Sequence, residues 1–318
     1  THSDRRWLSV ISFIYIFALI DAGIDQTFDP DGGRAVPQGP VTAHGTNFVS
    51  PHAVAFLPLV VLLAATPELR LWLRFALVLG TPFIMNLIAH ASSRGAFLAL
   101  LAAGGAMVLF TRGRYRLLTV AAGAGGTLLA MRLFHDRFWA RMATILSPET
   151  DGSAMGRKEA WAAARKLAER NPFGYGGEAF DSGLGARLMG EEAFHTTHNM
   201  FYEILVAWGA QGVLLFYGFI AVSLWDCYRL QRRHWRPGEW PQPRTYVEAT
   251  GILCGMLSML VASLFVNRLA WELWWVFPAY VVCLKNLAEQ VDEAAGDPDD
   301  EPDELPADAD EAVRVVGT

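Results

Sequence analysis

Residues 195–228 read HTTHNMFYEILVAWGAQGVLLFYGFIAVSLWDCY, a polar run that passes directly into an apolar stretch from Met200 to Tyr228. As a helix, a stretch of that length is enough to cross a hydrocarbon core about 30 Å thick, with some tilt. Upstream, the same polar region holds G-R-K-E-A-W from Gly156 and N-P-F-G-Y-G from Asn171. The whole of Gly156 to Gly212 therefore sets an arginine, a glycine-rich turn and a histidine pair at a membrane surface. Ionisable groups there cost free energy unless they are used, which makes the segment a candidate site.

Seven further apolar runs extend the pattern: Trp7 to Ile20, Val49 to Ala65, Leu71 to Ala89, Ala96 to Thr111, Leu117 to Phe134, Tyr246 to Val266 and Trp271 to Leu287. The chain of 318 residues is 53% hydrophobic and only 18% charged, with 11 tryptophans, a membrane composition rather than that of a soluble domain. The expected fold is an all-α polytopic transmembrane helical bundle of about eight spans with one large, partly helical exterior loop. Spans one to five occupy residues 1–134, with an exterior loop at 21–48; the site-bearing loop is 135–199, spans six to eight are 200–288, and an acidic cytoplasmic tail is 289–318. The absence of an initiating Met and of a signal-peptide pattern is read as a chain that begins inside a longer protein.

Arg5, Arg6, Arg70, Arg112, Arg114, Arg116, Arg229, Arg232, Arg233, Arg236 and Arg244 all fall in loops on one side of an alternating path, the cytoplasmic side by the positive-inside bias. The formal net charge of −6 misleads, because 12 acidic residues and one arginine lie from Glu289 onward, a composition expected to be disordered. The remainder holds 25 basic against 20 acidic residues, or +5, as suits an anionic ligand. Cys227, Cys254 and Cys283 lie in or beside spans, which leaves no exterior disulfide and no cysteine metal site. Gly104, Gly105, Gly123, Gly125 and Gly126 fall inside spans, where small residues are expected to let helices approach closely.

Within the exterior loop, Trp161, Ala164, Leu167 and Ala168 recur at helical spacing over Ser153 to Arg170. Arg157 shares that face, whereas Lys158, Arg165 and Lys166 lie off it. Pro172 stops the helix at Asn171, and Gly174, Gly176 and Gly177 could bring backbone close to a ligand. An inward-facing arginine in the first helical turn suits a phosphate; a structural ion pair with Asp151 or a neighbouring glutamate fits the geometry equally. Arg94, with Ser93 before it, either snorkels to headgroups or reaches a ligand across Gly95. His195 and His198, with Glu191, form an E-x3-H-x2-H pattern that could hold a metal. A neutral imidazole there is better placed to take a proton, and a headgroup-facing or loop-capping histidine also fits. Glu203 shares a face with Asn199 and is expected to orient a neighbour. The Trp271 to Trp275 run reads as an interfacial belt, and Arg268 with Glu272 as a helix-end ion pair.

S-S-R-G-A-F-L-A-L from Ser92, G-R-K-E-A-W, N-P-F-G-Y-G and H-N-M-F-Y-E-I-L-V-A-W-G-A-Q-G from His198, in that order, resemble the O-antigen ligase and polymerase family of bacterial membrane glycosyltransferases. The likeness covers about Gly33 to Phe219. It implies an inner-membrane enzyme that takes a glycan from an undecaprenyl-diphosphate carrier at the periplasmic face, without cofactor or metal. It also implies that Arg94 and Arg157 hold the diphosphate, that Arg34 adds a third cation, and that His198 is the base; Ser93, Tyr175, Asn199 and Glu203 are placed in support. The implied partners are the lipid-linked glycan donor, a lipid A-core or growing-glycan acceptor and membrane lipid, with no nucleic acid. Relatives often carry an acidic residue near the position of Ala207, and usually more spans at the amino end. A polymerase of the same family is the alternative. A lipid-linked glycan transporter would instead place charges near the bilayer midplane and repeat broken helices in two halves.

Overall fold

The computed structural model describes residues 2–28, 46–146, 152–177, 179–190, 196–266 and 272–296, and all regular elements among them are helical. In chain order they are α1 (His2–Thr27), α2 (Thr46–Ala64), α3 (Leu71–Ala91), α4 (Arg94–Phe110), α5 (Gly113–Leu133), α6 (Asp136–Ala143), a 3₁₀ turn (Thr144–Leu146), α7 (Gly152–Arg170), a π turn (Phe180–Leu184), α8 (Gly185–Met189), α9 (Met200–Arg233), α10 (Arg244–Ser263) and α11 (Leu273–Gly296). Each apolar run of the sequence falls on one of these helices, as expected where lipid offers the backbone no other hydrogen-bond partner.

The chain is an all-α, membrane-integral protein, but the eight runs are not eight equivalent spans. Among the described residues, α1 from Arg5, α3, α9 and α10 are each long and apolar enough to cross a membrane alone; α5 and the α6 segment meet at 110° and would make a fifth only as one bent span. The apolar part of α2 and the whole of α4 are shorter. The 17 residues of α4 rise only about 26 Å, less than a full hydrocarbon core.

α10 is the centre of the bundle. Its apolar window is 83% buried, against 28% for α1 and 33% for α3 and α9, which turn much of their apolar surface outward. Gly251 and Gly255, one turn apart, let α2 lie against α10: a Cβ on Gly251 would come within 2.9 Å of Leu59 Cα, and one on Gly255 would fall on the Ala55 carbonyl. Gly23 does the same for α1 against Phe83 of α3. The glycines expected to mediate close approach do not. A Cβ added to Gly104, Gly105, Gly123, Gly125 or Gly126 would meet nothing within 4 Å, because those faces of α4 and α5 turn away from the bundle. In a membrane, a small residue marks a helix contact only where packing places a partner over it.

The helix ends sort into two sets. At one end, Arg5 donates to Thr245 Oγ1 (2.8 Å) and reaches Glu248, Arg244 binds Glu248 Oε1 (2.8 Å), the Arg112 amide donates to the Tyr246 hydroxyl (3.0 Å), and Gln231 donates to the Phe110 carbonyl. The arginine-bearing ends of α1, α4, α5, α9 and α10 therefore meet, as the sequence requires. At the other end Asn86 donates to Thr27 Oγ1 (2.9 Å), joining α3 to α1. His52 Nε2 stands 3.3 Å from Glu272 Oε1, joining α2 to the residue before α11; Arg268, expected to pair with Glu272, lies outside the described residues.

Two further expectations change. Trp274 is not part of an aromatic belt: it is buried, with its ring edge-on to Phe216 at 5.6 Å, whereas Trp275 is exposed. α11 runs to Gly296, so the segment from Glu289 to Gly296 continues a helix rather than beginning a tail.

Candidate active site

α7 lies on the first turns of α9. Ala160, Ala163, Ala164 and Leu167 bury their side chains with Phe180 and Val206, and Tyr202 packs beside them. Arg157 and Trp161 sit half-buried at the edge of this contact, while Lys158, Arg165 and Lys166 are exposed, the partition expected from the spacing. The helix ends at Arg170, before Asn171 and Pro172. It begins at Gly152, however, which puts Arg157 in the second turn rather than the first. The free amides and positive dipole end then lie about a turn away from it, so the guanidinium itself is the cationic group of this helix face.

Two fastenings bring His198 to α7. The Trp161 indole donates to the Thr197 carbonyl (2.9 Å), and its ring stacks on Tyr202 with centroids 5.8 Å apart. Arg157 is one turn before Trp161 and His198 follows Thr197, so residues 41 positions apart in sequence share one electrostatic environment. Burial, and secondly the Arg157 charge, hold the His198 imidazole below the ordinary histidine value of 6.5. At neutral pH it is uncharged and able to accept a proton.

The backbone around His198 is held in an uncommon conformation. His198 has φ 47°, in the left-handed region, where a side chain costs roughly 1–2 kcal/mol. Its amide donates to Thr196 Oγ1 (3.2 Å), the Asn199 amide donates to Thr197 Oγ1 (3.4 Å), and the Thr197 hydroxyl donates to the Asn199 carbonyl (3.1 Å). Asn199 caps α9, its side-chain oxygen accepting from the amides of Phe201 (2.9 Å) and Tyr202 (3.4 Å). The two threonines and the asparagine therefore hold His198 from both sides. Glu203, in the first turn of α9, is half-buried and joins Asn199 through its backbone amide (3.1 Å).

The glycine-rich turn has a different use from the expected one. α9 breaks at Gly209, whose φ of 68° and ψ of −167° belong essentially to glycine. The loop from Pro172 to Gly176 inserts its backbone into that break: Tyr175 N–H donates to Val206 O (2.8 Å), Gly176 N–H to Ala207 O (2.8 Å), and Ala210 N–H to Pro172 O (2.9 Å). Gln211 adds a bond to Phe173 O (2.8 Å), and the Tyr175 hydroxyl donates to Leu167 O (3.2 Å). Gly174, with φ 90°, is needed because a Cβ there would strike the Ala207 carbonyl; it approaches α9 rather than a ligand. Gly176 and Gly177 have open space above them. N-P-F-G-Y-G is thus the lock that fixes α7 to α9, and Tyr175 belongs to that lock.

Arg94 opens α4, with Ser93 as its cap accepting from Ala96 N–H (3.4 Å), and the Arg94 guanidinium donates to Thr144 Oγ1 (3.1 Å). Phe265 fills the space above Gly95, and the Asn199 side chain donates to the Leu264 carbonyl (3.2 Å). Arg94 and His198 are therefore each next in sequence to a residue seated on the same turn, Leu264–Phe265 at the end of α10. Sequence reasoning missed this turn, which carries no chemical motif. It also missed the break at Gly209, for which the crossing of N-P-F-G with W-G-A-Q-G was the only cue. Arg34, Glu191 and His195 lie outside the described residues.

Together these features define a membrane-integral helical protein that holds a neutral histidine beside an arginine, at the bundle end opposite its arginine-rich loops. The family model described as O-antigen ligase matches residues 75–217, from α3 into α9, so this region of the chain is similar to the O-antigen ligase family. The matched region contains Ser93, Arg94, Arg157, Tyr175, His198, Asn199 and Glu203. No curated protein and no solved structure matches the chain.

Proposed function

We propose that the chain is a glycosyltransferase that moves a glycan from an undecaprenyl-diphosphate carrier to a hydroxyl acceptor at the periplasmic face of the bacterial inner membrane. The observation that carries this reading is the pairing of His198, neutral and half-buried, with Arg157 on a helix locked against it.

A diphosphate is already a good leaving group, so transfer needs a positioned acceptor, a base and stabilisation of the departing charge. His198 takes the acceptor hydroxyl proton. The freed oxygen attacks the anomeric carbon as the bond to the diphosphate oxygen breaks, in a single displacement that inverts the configuration. Arg157 and Arg94, with Arg34, which precedes α2 in sequence, receive the charge on the diphosphate, which supplies what a metal supplies elsewhere. Asn199 and Ser93 hold the backbone beneath His198 and Arg94, Tyr175 holds the loop, and Glu203 supports the start of α9. An O-antigen ligase and a polymerase of this kind share the donor head and differ in acceptor, lipid A-core or growing glycan.

In vesicles supplied with carrier-linked glycan, His198→Ala and Arg157→Ala are each expected to lower transfer at least about a hundredfold while insertion is unchanged. Normal transfer by both variants refutes the proposal. In a deletion strain, accumulation of carrier-linked polymer indicates a ligase, and single repeat units on the acceptor indicate a polymerase.

A further inference from the structure

At the arginine-rich end of the bundle, far from His198, α9 and α11 part to leave a cavity of about 670 Å³ lined by Asp226, Tyr228, Arg229, Arg232, Lys285 and Glu289, among others. We propose that this cavity is a binding site for the headgroup of an anionic phospholipid of the surrounding leaflet.

The charge of the lining comes first. Lys285 is paired with Asp226 at 3.4 Å, which neutralises both. Arg229 and Arg232 then line the concavity with Glu289, an excess of cationic side chains. Arg232 is held over the Tyr228 ring, 5.9 Å from its centroid, which restrains the guanidinium where it lines the cavity. A forked donor so placed matches phosphate oxygens.

The second observation is the continuity of this charge with a lipid-facing surface. On α9, Val222, Trp225, Arg229 and Arg232 recur at spacings of three and four and form one stripe, apolar toward the bundle middle and cationic at its end. On α11, Val282, Lys285 and Glu289 form a second stripe, apolar toward the bundle middle and charged at its end. Val222, Trp225 and Val282 are each more than half exposed, at 62%, 59% and 55%. The two stripes offer an apolar track for an acyl chain leading to a cationic cup, the complement of a diacyl phosphate lipid rather than of a soluble anion.

The test uses the full chain in mixed phosphatidylglycerol–phosphatidylcholine micelles, with retained lipid counted by native mass spectrometry. The wild type is expected to retain phosphatidylglycerol preferentially. Each basic residue near an anionic surface changes affinity about fivefold, so Arg229→Gln with Arg232→Gln should weaken retention roughly 25-fold. Arg114→Gln with Arg236→Gln removes the same charge from the same end and should leave retention unchanged, and Arg229→Lys with Arg232→Lys, which keeps the charge but loses the fork, should restore most of it. Phosphatidylglycerol bearing a photoreactive acyl chain should label wild-type peptides containing Val222, Trp225 or Val282, a readout independent of the variants. The proposal is overturned by any of four results: no preference in the wild type, equal loss in both double variants, displacement of the lipid by millimolar inorganic phosphate, or a preference seen only after residues 297–318 are removed. The last would make the chain's own acidic segment the occupant.

Discussion

Replacing Gly209 by alanine should abolish transfer without touching any group proposed to act on substrate. The backbone at Gly209 lies at φ 68° and ψ −167°, a region that costs a residue with a side chain about 1–3 kcal/mol. The new Cβ would also fall on the Pro172 carbonyl and lie 2.5 Å from the carbonyl carbon of Phe173, backbone atoms that cannot yield alone. Retreat of that loop puts at risk the bonds from Tyr175, Gly176, Ala210 and Gln211, each contributing about 0.5–1.5 kcal/mol. Strain and lost bonds together amount to about 3–9 kcal/mol, enough to release the lock or to straighten α9. Release would free α7 and separate Arg157 from His198. The measurements are transfer in vesicles and protease cleavage within residues 171–177, with insertion as control. Gly104→Ala, where nothing lies within 4 Å, should leave both unchanged. Wild-type transfer and protease resistance in Gly209→Ala would refute the claim that the interlock positions the site.

Trp161→Phe keeps an aromatic ring to stack on Tyr202 but deletes the donor to the Thr197 carbonyl; transfer should fall about five- to tenfold with little loss of thermal stability, and Trp161→Ala should cost more on both measures. The pH–rate profile should retain activity below pH 6.5, because burial and Arg157 keep His198 deprotonated there. In Arg157→Gln the residual rate should show its acidic limb moved to higher pH, since a cation that opposes protonation is gone; an unmoved limb would mean that the two groups do not interact. For stability the sign is the same: His198 takes up protons less readily in the fold than in the unfolded chain. Its contribution therefore rises with pH across the interval below 6.5 and is lost on acidification, which a melting-temperature series would detect.

The sequence by itself determined what depends on neighbours along the chain. The apolar run of α9, the face of α7 that carries Arg157, the stop before Pro172 and the collection of arginines at one end all follow from periodicity, proline geometry and charge placement. Tertiary structure decided which of these elements meet. Gly251 and Gly255 carry a helix contact while Gly123 and Gly125 carry none, Trp274 is core while Trp275 is surface, and Gly174 and Gly209 serve each other. Within a membrane, lipid is as apolar as the protein interior, so hydropathy that separates inside from outside in water loses that power along a span. Only the packed arrangement shows which apolar face has a partner, and only there does the Arg157 charge act on His198.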